Sequence, residues 1–496
     1  MDRRQFCRTT VAAGVAAAYP FFPGCDRNTP TATQADTSIA AVSFTGSEIE
    51  LERAAIKELG ESLSGPVLLS GHPSYDSARK IWNGMHDKRP ALIAQCTSTD
   101  DVVNAVTFAS ERSLLVAVKG GGHSFPGKST CDGGMMIDLS LMHAVDVDVE
   151  NRTARAGGGA LLAHLDNATF EHNLATTTGV VSHTGVGGFT LGGGMGRTDR
   201  IFGLAIDNLL AAKVVTASGE MLTASADENP DLYWAIRGGG GNFGVATEFV
   251  YRVHPFNPTT YGGMLTYDFD QAKDVLNFYA EFSENLPDEA SVEPQFFLGE
   301  NGERIIAVVV CYTGDHDTGH KVMAPLREFG KPVAGELGPT SYHEMQISAD
   351  GEMAHGRQYY LKSGFLRELT REAIDAMVDN YEGEHLPGIF FQHLGGASSR
   401  VAPNATAFIH RSVHSNFGIV AVWDDDALAD KSIAAVRRYY AAVQPHMAGF
   451  YTNLNEDTEK KTWGNYGANY PRLVEIKNKY DPTNLFRLNA NIRPTV

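Results

Sequence analysis

Val118-Lys119-Gly120-Gly121-Gly122-His123-Ser124-Phe125-Pro126-Gly127 sets three adjacent glycines ahead of a histidine and a serine, with another glycine three residues on. Glycine has no Cβ, so main-chain N–H groups here can approach a bound molecule closely. Successive N–H groups in such a turn form a concave anion site. A diphosphate suits that site. The preceding Leu114-Leu115-Val116-Ala117-Val118 is a short apolar run of strand type, which puts the loop at a strand end, where α/β folds usually place ligands. The spacing is neither G-x-G-x-x-G nor the phosphate-loop pattern ending in Gly-Lys-Ser/Thr, so it supports neither a nicotinamide site nor an ATPase. By itself a glycine triplet is more often a plain surface turn, and a lone histidine is more often structural.

Two further stretches change that reading. One is Gly185-Val186-Gly187-Gly188-Phe189-Thr190-Leu191-Gly192-Gly193-Gly194-Met195-Gly196, which leads to Asp207-Asn208; the other is Arg237-Gly238-Gly239-Gly240-Gly241-Asn242-Phe243-Gly244-Val245. Near the C-terminus stand Tyr466-Gly467-Ala468-Asn469-Tyr470, Tyr480-Asp481-Pro482-Thr483-Asn484-Leu485-Phe486 and Asn489-Ala490-Asn491-Ile492. In this order the four markers resemble the FAD-linked oxidases of the vanillyl-alcohol oxidase (PCMH-type) superfamily, and within it the berberine-bridge-enzyme-like branch. The resemblance runs from about Pro90 to the C-terminus, with a weaker middle.

The resemblance implies an α+β fold: a PCMH-type FAD-binding domain of two α/β subdomains clasping the cofactor, plus a substrate domain with an antiparallel β-sheet covered by helices. The expected division is a signal and linker over 1–45, the FAD-binding domain over 46–256, the substrate domain over 257–445, and a C-terminal segment over 446–496 that returns to the cofactor. The cofactor is expected against Lys119, Gly120, Gly121, Gly122, His123, Ser124 and Gly127, and against Gly179, His183, Thr184, Gly185, Gly187, Gly188, Gly193 and Gly194. Asp207, Asn208, Val245, Tyr466, Asn469, Asn489 and Asn491 complete the set. His123 stands where this family bonds an imidazole nitrogen to a flavin ring methyl, and a neutral imidazole is a competent nucleophile near pH 7. Val181 stands where some members carry a second, cysteinyl link, so a single bond through His123 is expected. Val186 falls where oxygen access to the flavin is controlled in the family.

The middle of the chain carries the substrate chemistry. Several relatives place a carboxylate base where this chain has Phe390-Phe391-Gln392-His393-Leu394. Strand alternation sends Gln392 and His393 to opposite faces, so one of them faces the flavin. Gln392 is the expected substrate contact, with His393 retained as a candidate base. Tyr451, in Phe450-Tyr451-Thr452-Asn453, is the candidate active-site phenol, and on a strand it would share a face with Asn453. The implied reaction removes a proton and a hydride from an alcohol, sugar or amine, with oxygen as electron acceptor and hydrogen peroxide as product. A dehydrogenase using another acceptor, or a catalytically impaired flavin-binding protein, is the alternative.

Bulk properties fit a globular flavoprotein. The 496 residues are 43% hydrophobic, ample for large cores, and the net charge of −18 argues against nucleic acid. Arg3-Arg4-Gln5-Phe6 followed by the apolar run Val11 to Phe22 resembles a twin-arginine export signal. Phe22-Pro23-Gly24-Cys25 loosely resembles a lipoprotein cleavage site, and membrane contact is expected only if Cys25 is lipidated. The segment 28–45 reads as a disordered linker. Five scattered cysteines form no disulfide framework, although Cys96 and Cys131 could pair in an oxidising compartment. No cluster has metal-ligand spacing, so no metal is expected. Further readings are a helix over Ile49 to Leu59, a helix starting at Thr99, a Ser-Gly hairpin over 213–222, and alternating strands and helices from Pro258 to Val443.

Overall fold

The short apolar runs segregate into three large sheets in the computed structural model, which describes residues 37–455 and 459–496. The twin-arginine stretch, Cys7, Cys25 and residues 28–36 of the expected linker lie outside the described residues. Among the described residues no helix is long and apolar enough to cross a membrane.

The first sheet runs, edge to edge, Val67–Leu69, Leu92–Gln95, Met135–Asp138, Val116–Lys119. Its last three strands are parallel, and their side chains are buried almost throughout, as parallel strands covered on both faces require. Helix Thr99–Glu111 buries Val102, Ala105, Val106 and Ala109 against it. The helix cap is Ser98, one residue before the expected start: its hydroxyl accepts the Asp101 N–H. The first glycine loop leaves this sheet at Lys119. The second sheet, antiparallel, has the order Met221–Ser225, Leu209–Val215, Val245–Arg252, Thr153–Gly157, Val145–Asp148. Its first two strands are the Ser218-Gly219 hairpin, closed by Gly219 at φ +78°.

The third sheet is antiparallel and seven-stranded: Ala334–Ser341, Thr259–Asp268, Arg304–Tyr312, Ala290–Leu298, Gly388–His393, Ser415–Trp423, Gln358–Leu366. Alternation gives it two faces. Val292, Phe296, Ile389, Phe391, Phe417 and Ile419 pack beneath helices Ala272–Ser283, Arg371–Asp379 and Ala429–Val443. Glu293, Gln295, Phe390 and Gln392 turn to the other side and line a cavity shared with the glycine loops.

Several expectations are corrected. Residues 49–59 are split between strand Glu48–Glu52 and helix Arg53–Ser62. Ser38–Val42, inside the expected linker, pairs with Glu48–Glu52, whose alternating burial reads as strand. Residues 450–453 form a turn, not a strand. Ala334–Ser341, Gln358–Leu366 and Ser415–Trp423 were not legible as strands. Cys96 and Cys131 do not pair: each is a free, buried thiol, with its sulfur turned to the Ala94 and Met135 carbonyl oxygens respectively.

The chain end closes the cofactor half. Helix Tyr470–Tyr480 carries Lys477, fully buried, which donates to the carbonyls of Asn242 and Phe486 and to Asp481 at 2.7 Å. Asp481 in turn accepts the N–H groups of Leu485 and Phe486. One ion pair thus ties the third glycine loop to the C-terminal turn. Removing one partner of a buried pair strands the other charge. Lys477→Met is expected to cost about 3–5 kcal/mol, read as a lowered denaturant midpoint at unchanged slope, with the double change Lys477→Met/Asp481→Leu recovering much of the loss.

Candidate active site

The glycine loops and the open face of the third sheet enclose a cavity of about 1530 Å³. That exceeds the roughly 300–1,000 Å³ of an ordinary small-ligand pocket, and leaves room for a dinucleotide with a substrate beside it. Two of its glycines touch through bare backbone. A Cβ on Gly121 would sit 2.4 Å from Gly185 Cα, and one on Gly185 would sit 2.3 Å from Gly121 N. A Cβ on Gly188 would meet nothing within 4 Å. There the main chain faces open space.

His123 lies on this wall. Its ring stacks on Trp82 at 4.0 Å between centroids and lies 5.0 Å from His183, which lies 4.7 Å from His355. Burial, then the two neighbouring imidazoles, push its pKa well below the usual histidine value, so the ring is neutral near pH 7. Its Nε2 is buried without a hydrogen-bond partner. Trp82 is itself held by its Nε1–H to Met353 O, and Asn83 by bonds with Tyr359, both on the substrate side of the chain. Val181 also lines the cavity.

The expected residues sort into cavity wall and scaffold. On the wall are Gly120, Gly121, Gly122, His123, Ser124, Gly179, Thr184, Gly185, Gly187, Gly188, Val245, Tyr466 and Asn489. Asn491 presents a buried, unpartnered Oδ1. The scaffold residues are off the wall. Lys119 donates to Ala78 O and lies 3.6 Å from the Asp138 carboxylate under the loop. Gly127 is packed so tightly that a Cβ would strike the His86 ring at 2.4 Å. Gly193 and Gly194 take φ of +137° and +77° to turn the chain beneath Tyr451. Asp207 and Asn208, expected at the cofactor, act on protein instead. Asp207 accepts Leu204 N–H and a two-pronged bond from Arg411, and Asn208 bonds Phe202, Leu204 and His254. Asn469 spends its amide on the carbonyls of Pro403 and Thr406. The side chain of Val186 is in the core with Ala160 and Leu162, so the neighbouring glycines, not this valine, face the cavity.

On the substrate side the alternation argument resolves. Gln392 lines the cavity, and its Oε1 accepts from Asn416. His393 is 3% exposed on the helix-covered face, 3.3 Å from Arg200; it is no candidate for a base at this site. Tyr451 lines the cavity, and its oxygen accepts the Gly194 N–H and the Asn453 amide, both at 2.9 Å. Burial pushes its pKa up to about 12, so it is a phenol at neutral pH. Asn453 meets Tyr451 across a turn rather than along a strand. Two wall residues escaped the sequence reading: Arg197 and Glu293, 3.7 Å apart and 7% and 6% exposed. Glu293 sits in the middle of strand Ala290–Leu298, and only the register of the sheet shows which way it points.

The family described as FAD binding domain matches residues 90–225, and that described as berberine and berberine like matches residues 450–493. An FAD-linked oxidoreductase of Dictyostelium discoideum is 33% identical over 448 residues, 88% of this chain and 97% of that one. (R)-6-hydroxynicotine oxidase of Paenarthrobacter nicotinovorans is 31% identical over 460 residues, 87% and 97% of the two chains. The chain belongs to the berberine-like FAD-linked oxidoreductases. The crystal structure of 6-hydroxy-D-nicotine oxidase from Arthrobacter nicotinovorans shares the fold with a TM-score of 0.80 at 29% identity, covering 87% of this chain and 98% of that one. This FAD-linked oxidoreductase therefore binds FAD, and its residues fit the cofactor: bare glycine backbone at two touching loops, an unpartnered His123 nitrogen and an unpartnered Asn491 oxygen. Gly121→Ala drives a methyl group into Gly185 and is expected to yield folded protein with a flavin-to-protein absorbance ratio far below that of wild type.

Proposed function

We propose that this is an exported FAD oxidase acting on the CH–OH or CH–NH group of a small alcohol, sugar or amine, with FAD held covalently through His123 alone and oxygen as the acceptor that becomes hydrogen peroxide. The observation that carries the reading is the His123 ring: neutral, buried, stacked on Trp82, with a nitrogen that no group among the described residues satisfies. Val181 in place of a cysteine supports one link rather than two. Bound FAD supplies a hydride acceptor and passes the electrons on.

The chain's own residues do the rest. Tyr451 has two donors on its oxygen, so its own O–H is left to hydrogen-bond the reacting oxygen or nitrogen of the substrate. Gln392, fixed by Asn416, orients the same group. Phe390, Phe297 and Val420 give the cavity apolar walls that exclude water. One similar enzyme is named for 6-hydroxynicotine, which keeps amines beside alcohols and sugars as substrates.

Acid precipitation of purified protein tests the link. Yellow colour is expected in the wild-type pellet and in the supernatant, or absent, for His123→Ala; colour released from wild type refutes the covalent bond. A screen of alcohols, sugars and amines for peroxide release then tests the oxidase. Oxygen-independent dye reduction without peroxide would make it a dehydrogenase. For export, Arg3→Lys/Arg4→Lys is expected to leave the protein in the cytoplasmic fraction, and equal export of both forms refutes the signal.

A further inference from the structure

Among the described residues five carboxylates line the cavity: Glu293, Glu344, Glu352, Asp424 and Asp425. Four of them are exposed, and only Glu293 is buried. Its place follows from the register of the sheet. Strand Ala290–Leu298 pairs antiparallel with Gly388–His393 through Gln295↔Phe390 and Phe296↔Ile389. Continuing that register sets Glu293 directly opposite Gln392, on the cavity face, and Val292 opposite His393. The bond from Val292 N–H to His393 Nδ1 agrees.

Cross-strand neighbours on one face stand about 4.5–5.5 Å apart at Cβ, so a group that hydrogen-bonds Gln392 is also within reach of Glu293. The alternatives are spent. His393 points away, Tyr451 is a neutral phenol, and Gln392 cannot take a proton. We propose that Glu293 is the proton acceptor of the reaction, reaching the substrate from the strand next to Gln392; this rests on the oxidase reading above. The C–H hydrogen leaves with its electron pair as hydride to FAD, the substrate gains a C=O or C=N bond, and the O–H or N–H proton ends on a Glu293 oxygen.

Arg197 sets the strength of this base. Two of its contacts are to Met345 O and Gln346 Oε1, which hold the guanidinium in place, while Nε, with no hydrogen bond of its own, stands 3.7 Å from the carboxylate. Burial raises the Glu293 pKa, and Arg197 and a hydrogen bond from the His393 backbone oppose that rise. Glu293 in turn acts on Asp199, Tyr279 and Cys311 in the elements around it, adding to the rise in pKa that burial gives each of them. His393, behind it, is kept neutral by burial.

The test uses flavin-loaded wild type, Glu293→Gln and Glu293→Asp, each checked for flavin content and thermal midpoint, and 4-nitrophenol, whose anion alone is yellow. Difference spectra across neutral pH should show wild type and Glu293→Asp binding the neutral phenol, with affinity falling as the probe ionises. Glu293→Gln, leaving Arg197 uncompensated, should bind the phenolate about tenfold more tightly than wild type does, one unit in apparent pKa. The same ionisation state in all three proteins, or no binding by wild type, overturns the proposal. With any substrate found in the screen, anaerobic flavin reduction should slow by about 10²–10⁴-fold in Glu293→Gln and lose its acid limb, with part of the rate restored in Glu293→Asp; an unchanged rate also overturns it. If no compound in the screen reduces wild-type flavin, the oxidase reading fails by itself, and the nitrophenol titration still decides the residue.

Discussion

Gly121 and Gly185 meet backbone to backbone, and the cavity depends on that contact. Because a Cβ on either would fall within 2.4 Å of the other's main chain, the loop after the parallel sheet and the loop before helix Val186–Leu191 can form one continuous wall only with glycine at both positions. His123, two residues beyond Gly121, inherits its position from this contact. Trp82 and Tyr359, stacked in line behind it at 3.9 Å, fix the imidazole from the other side. The same stack joins the cofactor half to the substrate half, because Tyr359 lies on an edge strand of the third sheet. The imidazole is thus positioned by long-range packing and not by its loop alone.

The third sheet works by having two unlike faces. One is a core of aromatic and branched side chains under three helices; the other is a cavity wall that carries polar side chains, Glu293, Gln295 and Gln392 among them. Period-two alternation divides the strand pair cleanly, with Glu293 and Gln392 on one side and Val292 and His393 on the other. His393 shows what the buried face demands of a polar residue: it lies among Arg200, Tyr279 and His414, and burial holds it in the uncharged form.

How much was legible follows from where each signal is stored. The glycine loops were readable because a missing Cβ is written in the sequence itself, and Gly120 to Gly122, Gly185, Gly187 and Gly188 do face the cavity. Asp207 was misread because a carboxylate after a glycine loop looks the same whether it meets a ligand or, as here, Arg411 from more than 200 residues away. Gln392 against His393 could be narrowed to one of two by alternation, but choosing required knowing which face the helices cover. Glu293 left no trace, since one acidic residue in Ala290–Leu298 reads like any polar position of a half-buried strand. Strand Glu48–Glu52 was taken for helix because its two apolar residues join smoothly to the apolar spacing of the helix that follows.

The C-terminal turn adds a constraint in time. Phe486, Leu488, Asn489 and Ala490 lie on the cavity wall, and Lys477 and Asp481 hold them against the loop at Asn242 through a pair that no water reaches. The wall is therefore incomplete until residues 486–490 have folded back against the loop at Asn242. A chain threaded unfolded through a membrane would have to close this wall, and take up FAD, on the far side. The proposed twin-arginine route, which carries proteins already folded, would let the chain close around FAD before export, and the bond proposed at His123 would keep the cofactor in place.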